Sequence, residues 1–140
     1  SGTAPVLHAM DCLPDYEIVV LLQPTSPLRS AHDIDDCLAF FSHHRAKACV
    51  SVTKETGHPF NLFLKDQNDM IRRYPSKEPS GAGPFYRVNG AIYCADTAWL
   101  KEKKDFITEE TMGFVMPAER SLDVDTPFDL ALADQLLRKK

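Results

Sequence analysis

Two carboxylates, Asp123 and Asp125, stand two residues apart in the run Ser121-Leu122-Asp123-Val124-Asp125. In an extended backbone, residues i and i+2 face the same side, so both acids project one way while Val124 turns to the core. Paired hard oxygens suit Mg2+, which is commonly held by one or two carboxylates, with substrate phosphates and water at its other positions. The same acids could equally do no more than precede a helix, because negative charge is favoured at a helix N-terminus. The spacing taken alone favours that plainer role.

Two further groups could serve a ligand. Gln23 follows the apolar run Ile18-Val19-Val20-Leu21-Leu22, and ligands of open α/β sheets bind outside the carboxyl ends of strands. Its amide offers a donor and an acceptor, although such a glutamine can simply pack a loop, and Arg29 nearby reads as an anion ligand or, somewhat better, as a surface residue. In Arg87-Val88-Asn89-Gly90-Ala91-Ile92-Tyr93, strand alternation puts Arg87, Asn89 and Tyr93 on one face. A cation, an amide and a phenol make an acid-binding surface, but Asn-Gly is also a turn signal and Tyr93 an ordinary core aromatic.

The elements that must position these residues alternate between helix and strand. Val6, Leu7, Met10 and Leu13 predict a short helix after Pro5, ending before Pro14. Residues 18–22, apolar on both faces, read as a central parallel strand, closed by a loop containing Pro24 and Pro27. Ser30 with Asp33 opens a helix with an apolar face of Ile34, Cys37, Leu38 and Phe41, and Ala48 to Val52 completes a β-α-β unit. From Thr53 to Tyr86 the pattern departs from the sheet and suggests an arm carrying a hairpin, with Phe60, Leu62 and Leu64 alternating. Val88 to Cys94 returns to the sheet, Thr97 to Lys103 reads as a short helix and Gly113 to Met116 as a strand. Thr126-Pro127-Phe128-Asp129 starts a last helix whose Phe128, Leu130, Ala131, Leu132, Leu136 and Leu137 should cover the sheet. The fold class that follows is α/β with a doubly wound, mostly parallel sheet, in one domain over 1–140.

A net charge of −4 in 140 residues argues against nucleic acid, which is bound through dense basic patches. No apolar run approaches the roughly 20 residues of a bilayer span, and the first residues lack the form of a secretion signal. A soluble, cytoplasmic protein is expected. Cys12, Cys37, Cys49 and Cys94 are widely spaced without a CxxC, which encodes neither a zinc site nor a disulfide framework and leaves buried reduced thiols. The neighbours His43 and His44 point about 100° apart on a helix and make a poor ligand pair.

In this order, Leu21-Leu22-Gln23-Pro24-Thr25-Ser26-Pro27-Leu28-Arg29, Arg87 to Tyr93, and Asp123-Val124-Asp125-Thr126-Pro127-Phe128-Asp129-Leu130 closely resemble the CMP-N-acylneuraminate (sialic acid) synthetases. The resemblance covers nearly the whole chain and raises the Asp pair above the helix-start explanation. It implies a fold of nucleotide-diphospho-sugar transferase type and a cytidylyltransferase: the anomeric hydroxyl of a nine-carbon 2-keto sugar acid attacks the α-phosphate of CTP, releasing pyrophosphate. It further implies that Asp123 and Asp125 hold Mg2+ (or Mn2+), that one of them, Asp125 for preference, helps to deprotonate the hydroxyl, and that Gln23, Arg87, Asn89, Tyr93 and Phe106 line the sugar-acid pocket. The family's first strand and its phosphate loop have no counterpart here. That implies a missing CTP half of the site and negligible turnover by this chain alone. The arm, about 58–86, resembles the family's dimerisation extension and implies a homodimer, with Ser80 where some relatives carry an arginine and Asn61 where a lysine stands. Two rivals stay open: a glycosyltransferase-type domain using the acid pair for a nucleotide-sugar diphosphate, and a non-catalytic truncated or dimer-forming module.

Overall fold

In the computed structural model, α1 (Ala4–Cys12), β1 (Ile18–Leu21), α2 (Ala31–His43) and β2 (Ala48–Lys54) come first. They are followed by β3 (Phe63–Lys65), β4 (Ile71–Arg73), β5 (Tyr86–Asp96), α3 (Thr97–Lys103), β6 (Thr111–Val115), a 3-10 turn (Ala118–Arg120) and α4 (Pro127–Leu137). The structure describes all residues except 1, 14, 15, 57–62, 66, 68, 74–83, 139 and 140. The chain forms two compact units, one of residues 1–53 with 88–140 and one of residues 54–87.

The first unit is built on a sheet in the order β1-β5-β2-β6. β6 runs parallel to β2, pairing Val50 with Gly113, and β1 runs antiparallel to β5, pairing Leu21 with Tyr93. Against β2, the Asp96 amide donates to the Lys47 carbonyl and the Ile92 amide to the Ser51 hydroxyl. Rising numbers on β5 meet falling numbers on β2, so β5 is the reversed strand of an otherwise parallel set. The sheet is therefore mixed. Alternation then sorts the side chains into two cores. Val19, Leu21, Ala48, Val50 and Ala95 pack with Met10 of α1 and with Trp99 and Leu100 of α3. Val20, Cys49, Ile92 and Cys94 pack with Cys37 and Phe41 of α2. Among the described residues no helix is long and apolar enough to cross a membrane.

The second unit contains the hairpin β3–β4, an antiparallel pair that sets Leu64 against Arg72. The hairpin expected of the arm is present, whereas Phe60, Leu62, Asn61 and Ser80 lie outside the described residues.

Helix starts follow the sequence chemistry closely. At α2 the Ser30 hydroxyl accepts from the Asp33 amide while the Asp33 carboxylate accepts from the Ser30 amide, a reciprocal box that satisfies two otherwise unpaired donors. Thr126 and Asp129 repeat it at α4, with Pro127 supplying a preset φ in the first turn. Two expectations fail. β1 is an edge strand with one described partner rather than a central parallel strand, because the reversed β5 takes the place between β1 and β2. The apolar residues of α4 do not cover the sheet: Phe128, Leu130, Leu132, Leu136 and Leu137 are exposed and Ala133 alone is buried. Helical spacing puts 128, 131, 132 and 136 on one face and 130 and 137 on the opposite one, and the residues of both faces are exposed.

Asp33 also ties the 3-10 turn to α2. It is 2% exposed and receives Arg120 Nε at 2.9 Å on Oδ2 and Arg120 Nη2 at 2.7 Å on Oδ1. Burial by itself would raise the pKa of this acid, but the hydrogen bonds from Arg120 and then from Ser30 outweigh it and hold the value at about 2. A folded-state pKa below the unfolded one gives stabilisation that is complete above about pH 4 and lost as pH falls through about 2. Asp33→Asn should therefore lower the unfolding free energy by roughly 2 kcal/mol at pH 6, with the difference shrinking toward pH 2. Urea titrations of both proteins at the two pH values check this, and an equal loss at both would contradict it.

Candidate functional site

Gly90 sits inside β5 with φ +75°, a left-handed conformation that glycine adopts without a Cβ penalty. Strict alternation breaks there. Ala91 and Ile92 both join the α2-side core, whereas Tyr93 belongs to the opposite one. Asn89 points to the α2 side, where it is fully buried. Its Oδ1 accepts from the Ser51 hydroxyl at 2.6 Å and the Ala91 amide at 3.2 Å, and its Nδ2 donates to the Ser121 hydroxyl at 2.9 Å. Ser121 in turn donates to the Pro117 carbonyl at 2.7 Å. The amide thus joins β2, β5 and the segment leading to the acid pair.

Over Gly90 the expected ligand groups converge. A Cβ built on Gly90 would lie 2.7 Å from Gln23 Oε1 and 3.0 Å from Asp123 Oδ2, so both side chains rest on its bare backbone. Arg29 holds this edge together by donating from Nη1 to the Gln23 carbonyl at 3.1 Å and to the Ala91 carbonyl at 2.7 Å. The Val124 amide donates to the Thr25 carbonyl at 2.8 Å, fastening the acid pair to the loop after β1. Tyr93, half-buried, has its pKa raised by burial first and by the Asp123 carboxylate second, which keeps its phenol protonated as a donor. Behind it the Phe106 ring packs at a centroid distance of 5.6 Å.

The fit to a divalent cation can be tested on Asp123. Its Oδ1 is buried and has no hydrogen-bond partner, which is costly for a carboxylate oxygen unless something else satisfies it. An unsatisfied buried oxygen on a carboxylate whose other oxygen rests on a glycine fits a cation or a ligand donor. Asp125 is exposed, and its amide donates toward Asp129 Oδ2 at 3.3 Å. The two acids lie on an irregular segment rather than a strand, so Asp123 is half-buried and Asp125 open, which permits one held and one solvent-facing ligand.

The structure thus gathers Gln23, Tyr93 and Asp123. It corrects three other expectations. Asn89 is a fully satisfied buried amide on the face opposite Tyr93, because the left-handed Gly90 breaks the alternation that would have aligned them. Phe106 is 3% exposed and backs Tyr93 from the core instead of lining a pocket. Arg29 grips two backbone carbonyls through Nη1 and is not an idle surface residue. Arg87 belongs to the second unit, where its Nε lies 3.4 Å from the Glu55 carboxylate.

No protein-family model matches the chain. It is 36% identical over 127 residues to the N-acylneuraminate cytidylyltransferase of Streptococcus agalactiae serotype V, and 30% identical over 139 residues to that of Escherichia coli O18:K1:H7. The aligned parts are 85% and 96% of this chain. The chain is a sequence relative of the N-acylneuraminate cytidylyltransferases. It spans 30% and 33% of the length of those two proteins, and 54% of the CMP-N,N'-diacetyllegionaminic acid synthase of Legionella pneumophila, to which it is 30% identical over 87% of its own length. Solved structures agree on the fold. A 4-diphosphocytidyl-2C-methyl-D-erythritol synthase from Anaerococcus prevotii superposes with a TM-score of 0.65 at 13% identity, over 99% of this chain and 67% of the other. A CMP:2-keto-3-deoxy-manno-octonic acid synthetase complexed with CTP gives 0.64 at 14% identity, over 100% and 69%.

Several residues that build the site carry no sequence signal for the part they play. Ser51, Ser121 and Arg29 act through backbone and amide partners distant in sequence, and no local pattern marks them. Gly90 did carry a signal, since Asn-Gly marks a left-handed residue, but inside a long strand it shapes a bulge rather than a hairpin turn. Gly90→Ala should destabilise the chain by about 1–2 kcal/mol from the left-handed backbone alone, and push Gln23 and Asp123 apart. Urea unfolding together with the NMR shift of the Gln23 side-chain amide reports both effects; unchanged stability with an unshifted amide would contradict the cradle.

Proposed function

We propose that this chain supplies the metal and sugar-acid side of a cytidylyltransferase site, in a protein that transfers CMP from CTP to the anomeric hydroxyl of an N-acylneuraminate-type 2-keto sugar acid and releases pyrophosphate. The observation that carries the reading is the orphaned buried Oδ1 of Asp123, on a carboxylate whose Oδ2 rests on Gly90 beside Gln23 and near Tyr93. The names of the sequence relatives support the same chemistry.

Asp123 and Asp125 would hold Mg2+ or Mn2+, one from a half-buried and one from an open position. When bound, the ion supplies neutralisation of triphosphate charge. Gln23 has its backbone fixed by Arg29 and presents an amide that can both donate to and accept from a polyhydroxylated acid. Tyr93 remains a hydrogen-bond donor at neutral pH, since burial and Asp123 oppose its ionisation, and it suits a carboxylate or carbonyl acceptor. Asp125, exposed and unencumbered by the buried network, is the group placed to accept a proton from an attacking hydroxyl. Asn89 and Phe106 serve by holding Gly90 and Tyr93 in place. Positioning and charge neutralisation carry such a transfer, with little covalent work for the protein. The doubly wound arrangement, a cytoplasmic setting and a homodimer paired through the 58–86 arm belong to this proposal on the strength of the family resemblance.

Saturation-transfer NMR with N-acetylneuraminate tests the reading on the chain as it stands. The acetamido methyl signal is expected with the native chain and should weaken at least tenfold in Gln23→Ala and in Tyr93→Ala. Transfer to UDP-sugars with none to N-acetylneuraminate would contradict the proposal in favour of a glycosyltransferase-type site.

A further inference from the structure

Cys37 on α2, Cys49 on β2 and Cys94 on β5 lie far apart in sequence, yet their Sγ atoms all fall within 4.8 Å of one another. Each residue is completely buried. The contacts of Ile92 with Ser51 and of Asp96 with Lys47 bracket Cys94 and Cys49 as direct cross-strand neighbours, and α2 lays Cys37 over the pair. Three separate elements hold the sulfurs together, so bringing them to one ligand requires little further ordering.

Buried cysteines often do no more than fill space as small hydrophobes. The shape of this cluster allows more. A soft ion bound by three sulfurs at roughly 2.3 Å needs them about 4 Å apart, so closing this triangle takes less than about 1 Å per edge. Charge then selects the ion. Zn2+ prefers four ligands, and no described His, Asp or Glu joins the three sulfurs. Any net charge left in a fully buried apolar cluster is expensive. A monovalent ion that replaces one proton leaves the cluster neutral.

We propose that Cys37, Cys49 and Cys94 form a three-sulfur site for one soft monovalent d10 cation with the chemistry of copper(I). The ion replaces one thiol proton and is bound by all three sulfurs; that proton leaves to solvent and no electron is transferred. The site is separate from the hard-oxygen position at Asp123, and the two should not compete for an ion, because thiolate sulfur and carboxylate oxygen select opposite classes of metal.

Cys12, the exposed fourth thiol, is first removed by Cys12→Ser. Copper(I) is then titrated anaerobically into this variant against a chromogenic copper(I) chelator. The expected result is one equivalent retained, with X-ray absorption showing three sulfurs at roughly 2.3 Å, and an affinity at least 100-fold weaker when Cys94→Ala is added in a chain that still folds by circular dichroism. If that variant does not fold, the absorption spectrum of the Cys12→Ser chain decides by itself. Failure to hold one equivalent, a shell of two sulfurs or of oxygen and nitrogen, or Zn2+ bound as tightly as copper(I) would each overturn the proposal.

Discussion

At Gly90 the β5 backbone takes a φ of +75°, and the lack of a side chain there lets Gln23 Oε1 and Asp123 Oδ2 come to rest on the main chain. Every polar group of the candidate site depends on that one conformation. It throws Asn89 to the α2 face and returns Tyr93 to the other, so the buried amide locks the strand from behind while the phenol faces Asp123. A larger residue would have to displace the groups that give the site its chemistry.

The cost of that geometry is offset by buried hydrogen bonds rather than by apolar packing. Asn89 satisfies Ser51, Ala91 and Ser121 together, Arg29 closes the carbonyls of Gln23 and Ala91, and Asp33 with Arg120 anchors the turn just before Ser121. These contacts converge on the backbone that carries Asp123. Polar networks of this kind are stabilising only when complete, and among these groups the remaining orphan is Asp123 Oδ1 itself. A network that satisfies its neighbours and leaves one anionic oxygen open is arranged to receive something positive.

The helices were legible in the sequence because their signals are local. Ser30 with Asp33, Thr126 with Asp129 and Pro127 each encode a cap within four residues, and both capping boxes form as their spacing requires. Strand order was not legible: Ile18 to Leu22 reads as a central strand, and only the reversal of β5, a long-range event, puts β1 at an edge. The site was legible in part. Gln23, Tyr93 and Asp123 carry their chemistry in their own side chains, whereas the direction of Asn89 depends on a single dihedral angle at its neighbour. The three cysteines were invisible as a group, since no spacing rule connects positions 37, 49 and 94 until the β2–β5 register is known. The exposure of the α4 apolar residues carries no local signal, because 128, 131, 132 and 136 share one helical face and would read as a buried stripe.

The central claim, that Asp123 Oδ1 is a divalent-cation position, is tested most directly by crystals of the chain soaked with Mn2+ and CTP and measured for anomalous scattering. A peak is expected within roughly 2.0–2.3 Å of Asp123 Oδ1. A peak elsewhere, with that oxygen instead hydrogen-bonded to a protein or water donor, would contradict it.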